Sequence, residues 1–203
     1  MDPIDTYLSI GGESSGSYRE KASKFISLAI PVSNELDVKV KMDQLRKEYH
    51  DASHFCYAYR LGSGNESIRV NDDGEPSGSA GKPIYGQILS QNLSDVLVVV
   101  IRYYGGKKLG IPGLIRAYRT SACDALSHAL IITKTLTVEH TIQFPYVSMN
   151  EVMRILKEED ARITNLNSAE ICQLMFTIRL SLNEKVVLRL NRIKDLSASV
   201  HIG

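Results

Sequence analysis

SDVLVVVIRYYGGKKLGIPGLIRAYRTSACDALSHAL, residues 94–130, reads as a strand, a loop and a helix in succession. The run Val96–Ile101 is apolar at every position, so neither face of that strand is meant for water, and it belongs in the middle of a sheet. Gly105–Gly113 is a glycine-rich loop. The helix that follows puts Ile115, Tyr118, Ala122, Leu126 and Ala129 on one face and Arg116, Thr120 and Ser127 on the other.

Working outward, Glu20–Pro31 reads as a strand. Leu36–Tyr49 has helical spacing, with Leu36, Val40, Leu45 and Tyr49 as its apolar positions. His54–Leu61 alternates and is rich in aromatics, which makes it a strand, and Leu61–Ser67 is a loop. DDGEPSGSAGKPI (Asp72–Ile84) leads into a helix, with Pro83 in the first turn, where its missing N–H costs nothing. From Thr135 the order is strand (Thr135–Phe144), helix (Val147–Glu159), strands (Ala161–Ser168 and Ile171–Leu180), helix (Glu184–Leu196) and strand (Ser197–Ile202). A βαββαβ order of this length predicts a ferredoxin-like domain. The expectation is an α+β protein of two domains, residues 1–134 and 135–203.

The chain has 203 residues and a formal net charge of +1, so no global field draws it to nucleic acid or membrane, and such binding needs a local patch. Its N-terminus has no basic and apolar segments of the kind that make a signal peptide. The longest apolar run is far below the ~20 residues of a membrane helix. Cys56, Cys123 and Cys172 are odd in number and include no CxxC pair, which favours a reducing compartment and places the protein in the cytoplasm.

Two loops hold the candidate sites. Asp72, Asp73 and Glu75 offer oxygen ligands for a hard cation, but Asp-Gly-Glu-Pro is also turn chemistry, with Gly74 free to take a positive φ. Ser79 and Lys82 belong to the same loop. The stretch is not a Walker loop, because Pro76 stands where the first glycine belongs and Pro83 follows Lys82. In the second loop, Gly105 and Gly106 permit close approach to a ligand, and the following helix N-terminus attracts anions. Arg102, Lys107, Lys108, Arg116 and Arg119 lie there with no acidic residue among them, and Tyr103, Tyr104 and Tyr118 offer stacking faces. The bland alternative is a tight turn kept soluble by lysines. His54 and Cys56 share one face of a strand, but strand cysteines are commonly inert core residues. His50 and His54 in HDASH do not satisfy HExxH. No catalytic set, metal site or cofactor motif emerges.

Four stretches together resemble the YigZ/IMPACT family: EKASKFISLA, ASHFCYAYRLG, DDGEPSGSAGKPI and VVVIRYYGGKKLGIPGLIRAY. They fall in this order between about Ser17 and Leu126. Ser79 stands where that family usually has threonine, and Pro112 where it usually has glycine; the proline removes one amide from the glycine loop. The resemblance implies an N-terminal β-α sandwich similar to domain IV of elongation factor G. It implies a C-terminal domain similar to domain V of that factor. It further implies a non-catalytic RNA- or ribosome-associated protein in translational regulation, which in eukaryotic relatives works through protein partners. An enzyme for a small phosphorylated or anionic substrate, with Asp72, Asp73 or Glu75 as acid, base or metal ligand, is the rival reading. A protein-interaction module is the third. The acidic loop is expected to lie beside the basic loop around Lys107 and Arg116 and to fix its geometry.

Overall fold

A computed structural model describes residues 5–63 and 67–201. The chain divides into two compact units: Tyr7–Lys134, and a second that runs from Thr135 and takes in Asp5 and Thr6.

In the first unit, β2 (Ser14–Glu20), β3 (Ser23–Pro31), β4 (His54–Leu61), β5 (Ser67–Asn71) and β6 (Val96–Tyr103) form one antiparallel sheet in the order β2-β3-β6-β4-β5. The central position expected for the apolar strand is the one β6 occupies. Its side chains alternate between two cores. Val96, Val98 and Val100 pack with Ile84 and Ile88 of α2 (Gly81–Ser90) and with Leu114, Ala117 and Tyr118 of α3 (Gly110–Ser127). Leu97, Val99 and Ile101 pack with Val38, Met42 and Leu45 of α1 (Glu35–Glu48). The sheet is therefore covered by helices on both sides, which is why an antiparallel strand here lacks a polar face. Two further strands, β1 (Thr6–Ile10) and β7 (Ile131–Thr135), pair in a small separate sheet.

Three local expectations are corrected. The stretch read as one strand from Glu20 turns at Lys21 and Ala22, whose φ values of 46° and 66° make a two-residue hairpin loop between β2 and β3. That turn carries none of the glycine or asparagine that usually announces it. Ser67, read as the end of a loop, begins edge strand β5. In α1 the buried positions are Val38, Met42 and Leu45, whereas Leu36 and Val40 are exposed. The helix carries two apolar stripes, and the sheet takes the one that continues to Tyr49. Its start is fixed by Asn34, which accepts from the Asp37 amide at 2.9 Å, while Asp37 accepts from Ser33.

The second unit has the expected βαββαβ order: β8 (Thr137–Pro145), α4 (Met149–Glu158), β9 (Arg162–Asn167), β10 (Ile171–Arg179), α5 (Asn183–Leu190) and β11 (Ser197–His201). The sheet order β11-β8-β10-β9 places the first and third strands of the motif in the centre, the ferredoxin-like arrangement. Ile142, Phe144, Leu174 and Phe176 from these central strands meet Val152, Ile155 and Leu156 of α4 and Val186 and Leu190 of α5.

Urea denaturation tests the corrected face of α1. Leu36→Lys and Val40→Lys are expected to change stability by less than about 0.5 kcal/mol. Met42→Lys, which drives an ammonium into the core, should cost ~3 kcal/mol or more.

Candidate functional site

The site forms where β6 ends. Arg102 is the second-to-last residue of this apolar strand and is 4% exposed. A charge so buried needs a partner. Glu75 supplies it: one carboxylate oxygen, Oε1, accepts from Arg102 Nη1 at 2.5 Å and from the Tyr118 hydroxyl at 2.7 Å. The Glu75 side chain is itself only 5% exposed. Arg102 also lies over the rings of Phe25 and Tyr104, 5.5 and 5.3 Å from their centroids. Burial and the neighbouring Cys56 and Glu75 push the Tyr118 hydroxyl far above its ordinary range, so it donates as a neutral phenol.

The loop that delivers Glu75 is fastened by its own first residues. The Asp72 carboxylate accepts from the amides of Gly78, Ala80 and Gly81 at 2.8, 3.0 and 2.8 Å. It caps α2 from outside the helix, whose N-cap, Ala80, has no side-chain bond to offer. Burial opposes ionisation of Asp72, but these three amides and Lys82 outweigh it and hold the carboxyl below its ordinary value of 3.8. Asp73, at φ 42°, accepts from the Phe55 amide at 2.6 Å and from Arg46 at 2.9 Å. Ser79 is fully buried and donates to the Pro76 carbonyl at 2.6 Å. Among the described residues no three His, Cys, Asp or Glu side chains converge as a metal site.

Strand β4 holds the loop from below. Cys56 Sγ donates to the Asp72 carbonyl at 3.0 Å, and His54 Nδ1 lies 2.8 Å from the Asp73 carbonyl. A carbonyl only accepts, so Nδ1 carries a proton. Nε2 lies 3.9 Å from Glu75 Oε1. Burial pushes the Cys56 thiol far up, which leaves it an inert core residue. His50 lies beyond the end of α1 and does not share a helix with His54.

The glycine loop divides into two parts. Gly105 serves packing, for a Cβ there would lie 2.2 Å from the carbonyl carbon of Ala22, and its amide donates to Ser23 Oγ at 3.2 Å. Gly106, at φ 79°, has open space around it. Lys107 and Lys108 are exposed and have no ion pair among the described residues, and the same holds for Lys82 and Arg119. The five basic residues from Arg102 to Arg119 are thus not alike. Arg102 is buried and committed to Glu75, and Arg116 pairs with Glu20. The two loops do meet, but through Glu75 and Arg102 rather than through Lys107 and Arg116. They enclose a cleft of about 470 Å³ whose walls include Glu75, His54, Arg102, Tyr104, Lys108 and Ile111. Lys82 and Arg119 line a separate groove between α2 and α3. Sequence reasoning missed the roles of His54 and Tyr118. The sequence offered Tyr118 as a stacking face, but the residue is fully buried and turns its hydroxyl to Glu75, and His54 was weighed only beside Cys56 and His50.

The Impact N-terminal domain model matches residues 21–126, the segment that carries both loops. The chain belongs to the IMPACT family. It is 34% identical over 147 residues to IMPACT family member YigZ of Escherichia coli (strain K12), covering 71% of this chain and 72% of that protein. It is 34% identical over 149 residues to IMPACT family member YvyE of Bacillus subtilis (strain 168), covering 73% and 68%. Protein IMPACT homolog of Dictyostelium discoideum is 37% identical over 99 residues, covering 46% of this chain and 28% of that protein. A crystal structure of a hypothetical protein superposes with a TM-score of 0.74 at 27% identity, over 96% of this chain and 97% of the other. Among the described residues no helix is long and apolar enough to cross a membrane.

Asp72→Ala should lower stability by about 2 kcal/mol, because three amides at the start of α2 lose their acceptor. The depressed pKa of Asp72 adds a pH signature. Its contribution is complete above the ordinary value near 3.8 and falls away as the pH drops below about 4 through the lower folded value. Acid titration of unfolding free energy in the wild type and in Asp72→Ala checks this; the difference between the two should shrink toward pH 2. In the same assay Gly105→Ala should cost at least ~2 kcal/mol, since the new methyl meets backbone rather than a movable side chain.

Proposed function

We propose that this IMPACT family protein is a non-catalytic RNA-binding protein of the cytoplasm that acts in translational regulation, on free RNA or on the ribosome. One observation carries the reading. Lys107 and Lys108 lack ion-pair partners among the described residues, and they stand before the first turn of α3, which contains no acidic residue and no side-chain cap. A helix start in that state, flanked by free lysines, suits phosphate oxygens. Lys82 and Arg119 extend the surface along the α2–α3 groove. The family resemblance, which implies folds similar to domains IV and V of elongation factor G, points in the same direction.

The acidic loop supports a binding role over an enzymatic one. Each of its carboxylates is held by the fold: Asp72 by amides, Asp73 by Phe55 and Arg46, and Glu75, through Oε1, by Arg102 and Tyr118. The groups to which the enzyme reading assigns acid, base or metal chemistry thus each carry a structural role.

Fluorescence anisotropy with a single-stranded RNA and a DNA of equal length, at three salt concentrations, tests the proposal. RNA should bind with an affinity that falls with salt, with a log–log slope of about −0.7 for each phosphate contact. Lys107→Glu combined with Lys108→Glu should weaken binding at least ~10-fold on every sequence and reduce the slope by about 1.4. Absence of RNA binding at low salt, or an unchanged affinity in the double variant, overturns the reading.

A further inference from the structure

The cleft between the two loops has a chemistry that phosphate binding alone does not use. Its walls are largely apolar: Pro76, Leu109, Ile111 and Leu114, with Tyr104 at 47% exposure and Arg102 over its ring. In it stand Glu75 and His54. Both hydrogen bonds to the Glu75 carboxylate fall on Oε1, and Oε2 has no hydrogen-bond partner among the described residues. His54 Nδ1 is tied to the Asp73 carbonyl, and Nε2, 3.9 Å from Glu75 Oε1, makes no hydrogen bond among the described residues. Lys108 completes the lining, next to the helix start at Gly110.

We propose that this cleft receives one unpaired nucleobase of the bound RNA. The inference rests on the RNA reading above and adds the substrate class: single-stranded RNA with a base free to leave its stack. Each part of a nucleotide finds its complement. The flat apolar ring lies against Tyr104, Ile111 and Leu114, an arrangement that aromatic side chains offer to splayed-out bases. Glu75 Oε2 accepts from an exocyclic amine or ring N–H, and His54 Nε2 takes a second edge atom. The adjoining phosphate meets Lys108 and Lys107. Inorganic phosphate would leave the apolar wall wet and would face the Glu75 carboxylate. An aliphatic carboxylate would leave Oε2 and Nε2 unpaired, at a cost. A volume of about 470 Å³ falls within the range of small-molecule clefts.

The position of Glu75 makes a base preference. Cytosine, adenine and guanine carry an amine that can donate to Oε2, whereas uracil sets carbonyl oxygens on both sides of its single edge N–H.

The experiment uses the whole chain. Calorimetry with cytidine, adenosine, guanosine and uridine 5′-monophosphates is paired with anisotropy on single-stranded RNA. The three amino-bearing monophosphates should bind, and uridine monophosphate roughly tenfold more weakly, as the loss of one charge-assisted hydrogen bond implies. Tyr104→Ala should weaken both mononucleotides and RNA by about tenfold or more, and Tyr104→Phe should restore both. Glu75→Gln, with folding checked by circular dichroism, should abolish the preference against uridine; if that variant does not fold, the Tyr104 pair and the base series decide. RNA that binds the wild type and Tyr104→Ala equally, with no mononucleotide bound, overturns the cleft and leaves the RNA surface standing. Mononucleotides that bind without RNA overturn the assignment of the base to an RNA chain, and the RNA reading with it. Equal affinity for all four monophosphates overturns the role of Glu75.

Discussion

A guanidinium at the end of an apolar strand is a costly object, and the first unit is organised around it. Arg102 follows six buried aliphatic residues and is itself almost wholly buried. Removing one partner from such a pair costs ~3–5 kcal/mol, so the chain must bring a carboxylate to that spot and keep it there. Glu75 comes from a loop with no regular structure of its own, which is why the loop needs Asp72 and Asp73 as fasteners. Ser23 stands on the other side, bonded to Arg102 at 3.4 Å and to the Gly105 amide. That contact draws the β2–β3 turn so close to the glycine loop that only glycine fits at 105. One buried charge thus specifies the acidic loop, the hairpin turn and the first glycine of the basic loop.

The other end of β6 is closed by the same means with the opposite sign. Asp95, directly before the strand, is buried and accepts from the Gly62 amide and from Lys134 Nζ, both at 2.9 Å, and from the Tyr7 hydroxyl. Burial opposes its charge, but Lys134, Tyr7 and Gly62 together hold the carboxyl below its ordinary range. These bonds tie β1, β7 and the end of β4 to the central strand. A strand this apolar carries little information about where it should stop in the sheet. Polar groups of opposite charge at its two ends, each demanding its own partners, define its register.

The legibility of the sequence follows the strength of the physical signal. The centrality of β6 and the βαββαβ order of the second unit rest on long runs with clear periodicity, and both are found. What was missed is short, polar or ambiguous. SSGSYRE gives no strand pattern, yet it pairs as β2 because Gly16 lets α3 lie against it: a Cβ there would come 2.4 Å from the Ala125 amide. Lys21 and Ala22 form a left-handed turn without the residues that favour one, held by the chain packed over it. In α1 the choice between two stripes is made by the sheet, not by the helix. The site had a similar fate. The clustering of cations near the glycine loop is visible in the sequence, but which of them are neutralised depends on Glu20 and Glu75, 96 and 27 residues away from Arg116 and Arg102.

That division of the cations is what gives the surface its character. Had all the basic residues stayed free, the loop would be a plain electrostatic patch, equally attractive to any polyanion. Pairing Arg102 and Arg116 lowers the local charge and leaves the cations that stand before and along α3. It also sets a carboxylate with one unused oxygen and an imidazole with one unused nitrogen beside an apolar wall. Phosphate contacts position a nucleic acid without reading it, whereas groups of this kind distinguish donors from acceptors. The buried pair that the fold needs for stability therefore also separates, within one cleft, a region suited to charge from a region suited to hydrogen-bond pattern. A fold that had paired Arg102 with a backbone carbonyl would have satisfied the guanidinium and lost the second region.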